Sequence, residues 1–357
     1  MDTSITQIGL GAWGIGGADW GHGADRRQRI ETVEAAVEKG VRFFDTAPTY
    51  GESEEILGAA LRPHRERVMI ATKFGPRDDP AASLERSLRR LNTDYVDLFQ
   101  LHEPGENFEA LLEKLAQLKD EERVREIGIC NASPRQLERA LQIAPLSSYQ
   151  GAYNLFDREV EQHILPACRK NGLAFLAYRP LASGVLTDKF SARLAERLPI
   201  GDHRLQIWWF RGRELQRRLA VHGALKEAAA ESGRTVSSLA LAWLLERPGV
   251  TVVLAGARTS GQLEENLTAA EHPLSSDELE LIETTVSLVY RPVRATRQAV
   301  EAAAEWGDRE RFIVEHLDGR NPYDAIAAKW SERDEKGLLS AQVIQFVDQL
   351  AEAGMLT

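Results

Sequence analysis

The chain has 357 residues, of which 43% are hydrophobic and 27% charged, and it carries a formal net charge of -10. That is enough length to bury a large core without disulfides or metal, and the acidic balance argues against a protein built to grip nucleic acid. With only Cys130 and Cys168, no signal-like N-terminus in Met1-Asp2-Thr3-Ser4-Ile5 and no long apolar run, the expectation is a cytoplasmic protein with no metal site and no membrane segment.

Short apolar segments rich in β-branched residues recur along the first 286 residues. Strands are predicted over Gln7–Trp13, Arg42–Asp45, Val68–Lys73, Val96–His102, Ile127–Cys130, Tyr149–Tyr153, Ala174–Tyr178 and Thr251–Leu254. Between them, amphipathic spacing predicts helices over Arg27–Lys39, Ser83–Leu91, Glu106–Glu122, Ser133–Ile143, Val160–Asn171, Leu215–Ser232 and Ser237–Glu246. Gly40, Gly172 and Pro248-Gly249 punctuate helix ends. Eight strands alternating with helices suggest a closed (β/α)8 TIM barrel, with a doubly wound open sheet as the alternative. From about Ser287 the strands stop. Helical spacing over Gln298–Trp306, Arg309–Leu317, Tyr323–Trp330 and Ser340–Ala353 predicts a C-terminal helical extension with a weak winged-helix likeness. The expected division is therefore a barrel over 1–286 and an extension over 287–357. Six Lys or Arg against nine Asp or Glu from Arg309 to Thr357 disfavour DNA as its partner. A protein or peptide contact, a homo-oligomer contact or a cover for the active site suits it better.

Gly9-Leu10-Gly11-Ala12-Trp13-Gly14 matches the G-x-G-x-x-G pattern of dinucleotide-binding folds. The pattern needs a helix to open at its last glycine, and Ile15-Gly16-Gly17-Ala18-Asp19-Trp20-Gly21 is poor helix sequence. A strand entering a glycine-rich loop at a barrel mouth accounts for the same letters.

In a barrel of this kind, reactive groups stand at the C-terminal ends of strands. Strand two ends at Asp45 and leads to Tyr50, strand three ends at Lys73, and strand four ends at His102. Each alone has a plainer reading: a cap, a solvated lysine, a structural histidine, a packed tyrosine. Together they put four ionisable groups at one barrel face.

These residues resemble the NADP-dependent aldo-keto reductases. The likeness runs through Gly9-Leu10-Gly11-Ala12-Trp13, Phe44-Asp45-Thr46-Ala47 to Tyr50-Gly51, Thr72-Lys73, Leu101-His102 with Pro104, Gly128-Ile129-Cys130-Asn131 and Gln150 through Leu155. It continues through Tyr178-Arg179-Pro180-Leu181-Ala182-Ser183-Gly184 and Gly256-Ala257-Arg258 to Asn266. It implies a reductase of aldehydes or ketones using NADPH (NADP), with a small-molecule carbonyl substrate. Carbonyl reduction needs a proton donor and positive polarisation at the developing oxyanion. The resemblance implies Tyr50 as the acid, with Lys73 lowering its pKa, Asp45 pairing with Lys73, and His102 orienting the carbonyl. It implies that Asn131 and Gln150 hold the nicotinamide carboxamide, that Tyr178 stacks on the ring, and that Pro180, Leu181 and Ser183 approach the pyrophosphate. Gly256, Ala257, Arg258, Gln262, Glu265 and Asn266 would hold the adenosine phosphate end, with Arg258 on the 2′-phosphate. Gly11, Ala12, Trp13, Asp45, Cys130 and Arg179 complete the implied cofactor set. Trp13, Tyr50, His102 and Trp209 would line the substrate pocket, with Trp208 and Phe210 beside them.

The chain departs from the pattern where Cys130 replaces a serine, where Arg179 replaces a serine after the stacking tyrosine, and in its extension. Two rival functions follow: a non-catalytic NADP-binding regulator, which the intact tetrad disfavours, and a reductase whose extension recruits a tethered substrate.

Overall fold

In a computed structural model, which describes residues 7–17, 25–289, 295–318, 323–331 and 340–356, eight parallel strands close on themselves in sequence order. They are β1 (Ile8–Gly11), β2 (Phe43–Asp45), β3 (Met69–Phe74), β4 (Leu98–Leu101), β5 (Glu126–Cys130), β6 (Ser148–Ala152), β7 (Ala174–Tyr178) and β8 (Val250–Ala255). β8 returns to β1, setting Leu10 opposite Ala255. That closure makes the fold a (β/α)8 barrel and removes both the open sheet and the dinucleotide reading of the first glycines. Residues 1–6 and 18–24, on which the leader and glycine-loop expectations partly rest, lie outside the described residues.

The first strand is shorter than its apolar run suggested. It ends at Gly11, and Trp13–Gly16 forms a single helical turn closed by Gly17 at φ 86°. The later helices start and stop where their caps dictate. Asp79 accepts the Ala82 amide at 3.0 Å to open Pro80–Leu91, Ser133 and Gln136 form a capping box on Pro134–Ile143, and Gly172 ends Ile164–Asn171 at φ 67°. Three long barrel helices, Ser53–Leu61, Ser260–Glu271 and Ser276–Val289, have no counterpart among the predicted ones, and the first is the most deeply buried. Its sequence, SEEILGAAL, buries seven of nine residues, so no polar stripe marks it.

Strand alternation sorts the barrel interior into levels. Phe43, Ala71, Leu98, Leu176 and Val252 form an apolar plug, apart from the larger core between strands and helices. Two residues further along their strands stand Asp45, Lys73 and Gln100, buried and polar, and β6 adds Ser148 beside Gln100 and Gln150 beside Asp45. The register sets Lys73 beside Gln100, while Asp45 stands opposite Ala71 and is reached by the lysine's long side chain. A dry floor thus lies under a polar layer at the C-terminal mouth.

The extension contains the helices Arg297–Ala302, Asp308–His316, Tyr323–Ser331 and Ser340–Glu352. They bury a second cluster of their own that includes Phe312, Ile326, Trp330, Val343 and Val347. A lone bridge between Ala295 and Leu356 ties its two ends. No wing hairpin occurs among the described residues. No described helix is long and apolar enough to cross a membrane.

Candidate active site

Lys73 is fully buried, and its ammonium is satisfied from one side. Lys73 Nζ donates to Asp45 Oδ2 at 2.7 Å, to Asp45 Oδ1 at 2.9 Å and to the Thr46 carbonyl at 2.8 Å. Gln150 Nε2 donates to Asp45 Oδ1 at 2.8 Å. Burial alone would push the lysine pKa down, but Asp45 and Tyr50 more than offset it and the ammonium is held above its usual range. Its charge stands 5.0 Å from the centre of the Tyr50 ring.

Tyr50 differs from the expectation that Lys73 would draw its pKa down. Burial raises the phenol, Lys73 opposes that, Asp45 partly cancels Lys73, and the net result is a pKa of about 12. The phenol is therefore a neutral donor under ordinary conditions. His102 faces it edge-on, with ring centres 5.9 Å apart. Burial and the nearby Lys73 charge press the His102 pKa down to about 3, so the imidazole is neutral as well. Trp13 packs on Tyr50 at 6.0 Å, and His203 packs on Trp13 at 4.5 Å. Trp13, Tyr50 and His102 thus form one wall. Trp209 belongs to another part of the rim, stacked on Arg179 and Arg218; the side chain of Trp208 lies outside what is described.

Of the residues expected to hold a cofactor, Tyr178 and Asn131 meet directly. Tyr178 donates its hydroxyl to Asn131 Oδ1 at 2.9 Å, and Asn131 Nδ2 donates to the His102 carbonyl at 3.1 Å. Asn131 therefore already spends both ends of its amide on the protein, and Gln150 spends its amide nitrogen. Cys130, buried beneath them, has its thiol pKa pushed up by burial, so it stays a neutral thiol with little hydrogen-bonding strength. Arg179 neither reaches into solvent nor leaves the site: its guanidinium packs over Tyr178 at 5.2 Å and Trp209 at 5.4 Å. After it, Pro180 and Leu181 lead into Ala182 and Ser183, which adopt φ 47° and 57°, and the buried Ser183 hydroxyl finds no partner among the described residues. A buried orphan hydroxyl in such a turn suits an anionic ligand.

The last group gathers after β8. Gln262 Oε1 accepts the Arg258 amide at 2.9 Å, and Asn266 Nδ2 donates to the Gly256 carbonyl at 3.1 Å, which rigidifies the loop bearing Ala257 and Arg258. Glu265 accepts the Ser237 hydroxyl at 2.7 Å. Burial and the nearby Arg204 lower the Arg258 pKa, while Asp202 works the other way. Arg258 thus lies in the field of Arg204, whose own guanidinium is held by Asp202. Gly11, Ala12 and Asp45 line the same mouth at the ends of β1 and β2.

The profile of the Aldo/keto reductase family matches residues 7–286. The chain belongs to that family. This aldo/keto reductase is 38% identical over 284 residues to aldo-keto reductase YhdN of Bacillus subtilis, covering 74% of this chain and 85% of the relative. Its structure is similar to that of the glycerol dehydrogenase AKR11B4 from Gluconobacter oxydans, with a TM-score of 0.71 and 31% identity over 81% of this chain and 93% of the other. It is also similar to an aldo/keto reductase from Klebsiella pneumoniae in complex with NADP and acetate, with a TM-score of 0.63 and 29% identity over 78% and 91% of the two chains.

Sequence reasoning about this aldo/keto reductase missed Gly16 and the segment Asp202-His203-Arg204. A side chain on Gly16 would sit 1.6 Å from the Tyr50 carbonyl oxygen, so that glycine is what lets the tyrosine loop approach. The glycine run, read as a loop at the barrel mouth, carried this signal without saying which glycine the tyrosine loop would abut. Asp202, 1% exposed, accepts from Arg204 Nε at 2.8 Å and Nη2 at 2.7 Å. Its aspartate-arginine pair sits in an irregular insertion, where no periodicity could expose it.

Proposed function

We propose that this aldo/keto reductase reduces the carbonyl of an aldehyde or ketone to an alcohol with NADPH. The observation that carries the reading is the convergence of a neutral, buried-edge Tyr50, a permanently charged Lys73 and a neutral His102 above an apolar floor. Tyr50 donates its proton to the carbonyl oxygen as negative charge develops there. Lys73, anchored by Asp45, lies close enough to favour the phenolate that this donation leaves behind. His102 offers the same oxygen a second hydrogen bond, which fixes its direction without adding charge. Trp13 and Trp209 would bound the carbonyl's substituents.

The residues present fit the nucleotide. Tyr178 offers a ring face, Asn131 and Gln150 offer polar groups for the carboxamide, Cys130 and Arg179 stand beside them, and Ser183 with Pro180 and Leu181 suits the pyrophosphate. Gly256, Ala257, Arg258, Gln262, Glu265 and Asn266 would hold the adenosine end, with Gly11, Ala12, Trp13 and Asp45 along the mouth. When bound, NADPH supplies the hydride. Similarity to a protein in complex with NADP supports this choice, as does the partly buried guanidinium of Arg258.

The deciding experiment follows the nicotinamide absorbance across a panel of aldehydes, ketones and sugars with NADPH and NADH, for the native enzyme and Tyr50→Phe. Turnover by the native protein and its near-abolition in the variant, with NADPH binding retained, is the expected result. Native-level turnover in Tyr50→Phe would overturn the acid assignment.

A further inference from the structure

The helical extension lies beyond the residues matched by the family, yet one of its helices reaches the barrel rim beside Arg179 and Trp209. Helix Ser340–Glu352 carries Ile344 and Asp348, four residues apart and so on one face. Arg217 Nη1 lies 2.8 Å from Asp348 Oδ1 and 3.5 Å from Glu214 Oε2. The buried Tyr323, from the neighbouring helix, stands near the same Arg217 and Asp348. Ile344, 4% exposed, closes a cavity of about 20 Å³ shared with Phe156, Asp157, Arg179, Trp209 and Arg218, room for a single water.

From that cavity the contacts lead inward to Tyr178. The Arg218 guanidinium packs 4.9 Å from the Trp209 ring centre, and the Arg179 guanidinium bridges Trp209 and Tyr178. Arg179 itself adopts φ 51°, a conformation that a β-carbon disfavours, so its surroundings must hold it there. The packing partners of its side chain are Tyr178 on one side and Trp209 on the other, and Trp209 shares its cavity with Ile344 of the extension.

We propose that Ile344 and Asp348 are positioning residues for the cofactor site: through Arg217, through Glu214, which also accepts from Arg218 Nε at 2.9 Å, and through Arg218, Trp209 and Arg179, the docked extension fixes the Tyr178 ring on the face where a nicotinamide stacks. This rests on the reading of Tyr178 as the stacking ring. A merely structural extension would change stability and leave nucleotide affinity alone.

The test is a titration of NADPH into the full-length protein, without carbonyl, followed by protein fluorescence, with the thermal midpoint measured alongside. Asp348→Arg opposes Arg217 with a like charge and is expected to weaken NADPH binding by about tenfold. Ile344→Ala, which loosens the packing under Trp209, should weaken it by about threefold, and Asp348→Glu, which keeps the pair, should stay within about twofold of native. If Asp348→Arg does not fold, Asp348→Asn takes its place in the same titration. Native affinity in Ile344→Ala and in the Asp348 charge variant, whatever their thermal midpoints, would overturn the proposal. Failure of the native protein to bind NADPH would overturn the functional reading and this inference with it, so the two failures are told apart by the native titration.

Discussion

Lys73 Nζ and the Asp45 carboxylate lie 2.7 Å apart at the top of the barrel interior, the lysine fully buried and the aspartate side chain 5% exposed. A pair so sheltered is held by each partner's need for the other, because an isolated buried charge is far costlier than an isolated exposed one. Asp45→Asn should therefore destabilise the fold by about 3 kcal/mol, seen as an earlier urea midpoint. It should also cost reductase activity, since the ammonium loses its anchor. An unchanged urea midpoint would show that the ammonium has another partner in solution.

The titration of Tyr50 sets the pH dependence. Its folded pKa is raised by burial to about 12, so the proton-donating form persists at every pH below that value. The His102 pKa is depressed to about 3, so its neutral form persists at every pH above that one. The rate constant for reduction at saturating substrate should be flat from about pH 6 to 9, with neither group titrating. Alcohol oxidation needs the phenolate and should climb about tenfold per unit through the same range. A bell centred near neutrality in the reductive direction would contradict both assignments.

Much of the barrel could be read from the letters because its strands are short, apolar and end in polar residues, as Phe43-Phe44-Asp45 and Ala71-Thr72-Lys73 do. The convergence of Asp45, Tyr50, Lys73 and His102 was legible for the same reason: strand ends in a barrel share one face. The Ser53–Leu61 helix was not legible, because burial on nearly every side erases the periodicity that betrays a surface helix. The direction of the Tyr50 shift was also hidden, since it depends on how far burial outweighs a neighbouring ammonium, and depth is not written in the sequence. Nor could the letters say that Trp209 would meet Arg179 and Ile344, which lie far apart along the chain.

Arg258 should govern the choice of nucleotide. Burial and the field of Arg204 both disfavour its charge, so an added anion at Arg258 is met by a partly desolvated guanidinium. Arg258→Ala should weaken NADPH binding by about tenfold or more, the loss of one charge-assisted hydrogen-bond donor. NADH, which lacks the 2′-phosphate, should lose less than about threefold by the same measure. Equal losses in fluorescence titrations of the two nucleotides would remove the 2′-phosphate from Arg258.

Gly16 offers a test of the geometry that delivers Tyr50. The turn Trp13–Gly16 abuts the loop carrying the tyrosine: the Glu52 amide donates to the Gly16 carbonyl at 3.3 Å, and Ser53 Oγ donates to the Ala12 carbonyl at 2.9 Å. A methyl group at Gly16 would overlap the Tyr50 carbonyl oxygen, which is backbone and cannot rotate away. Gly16→Ala must then displace either the turn with Trp13 or the loop with Tyr50, and both belong to the same wall. Because a displacement of about 1 Å at a reacting group can cost on the order of a hundredfold in rate, kcat should fall by about that factor. NADPH affinity, assigned in the proposed function mainly to Tyr178, Ser183 and the Arg258 loop, should change far less. Single-turnover rates at saturating NADPH separate the two effects. A variant that kept the native rate would mean that the turn and the tyrosine loop move apart without disturbing the phenol.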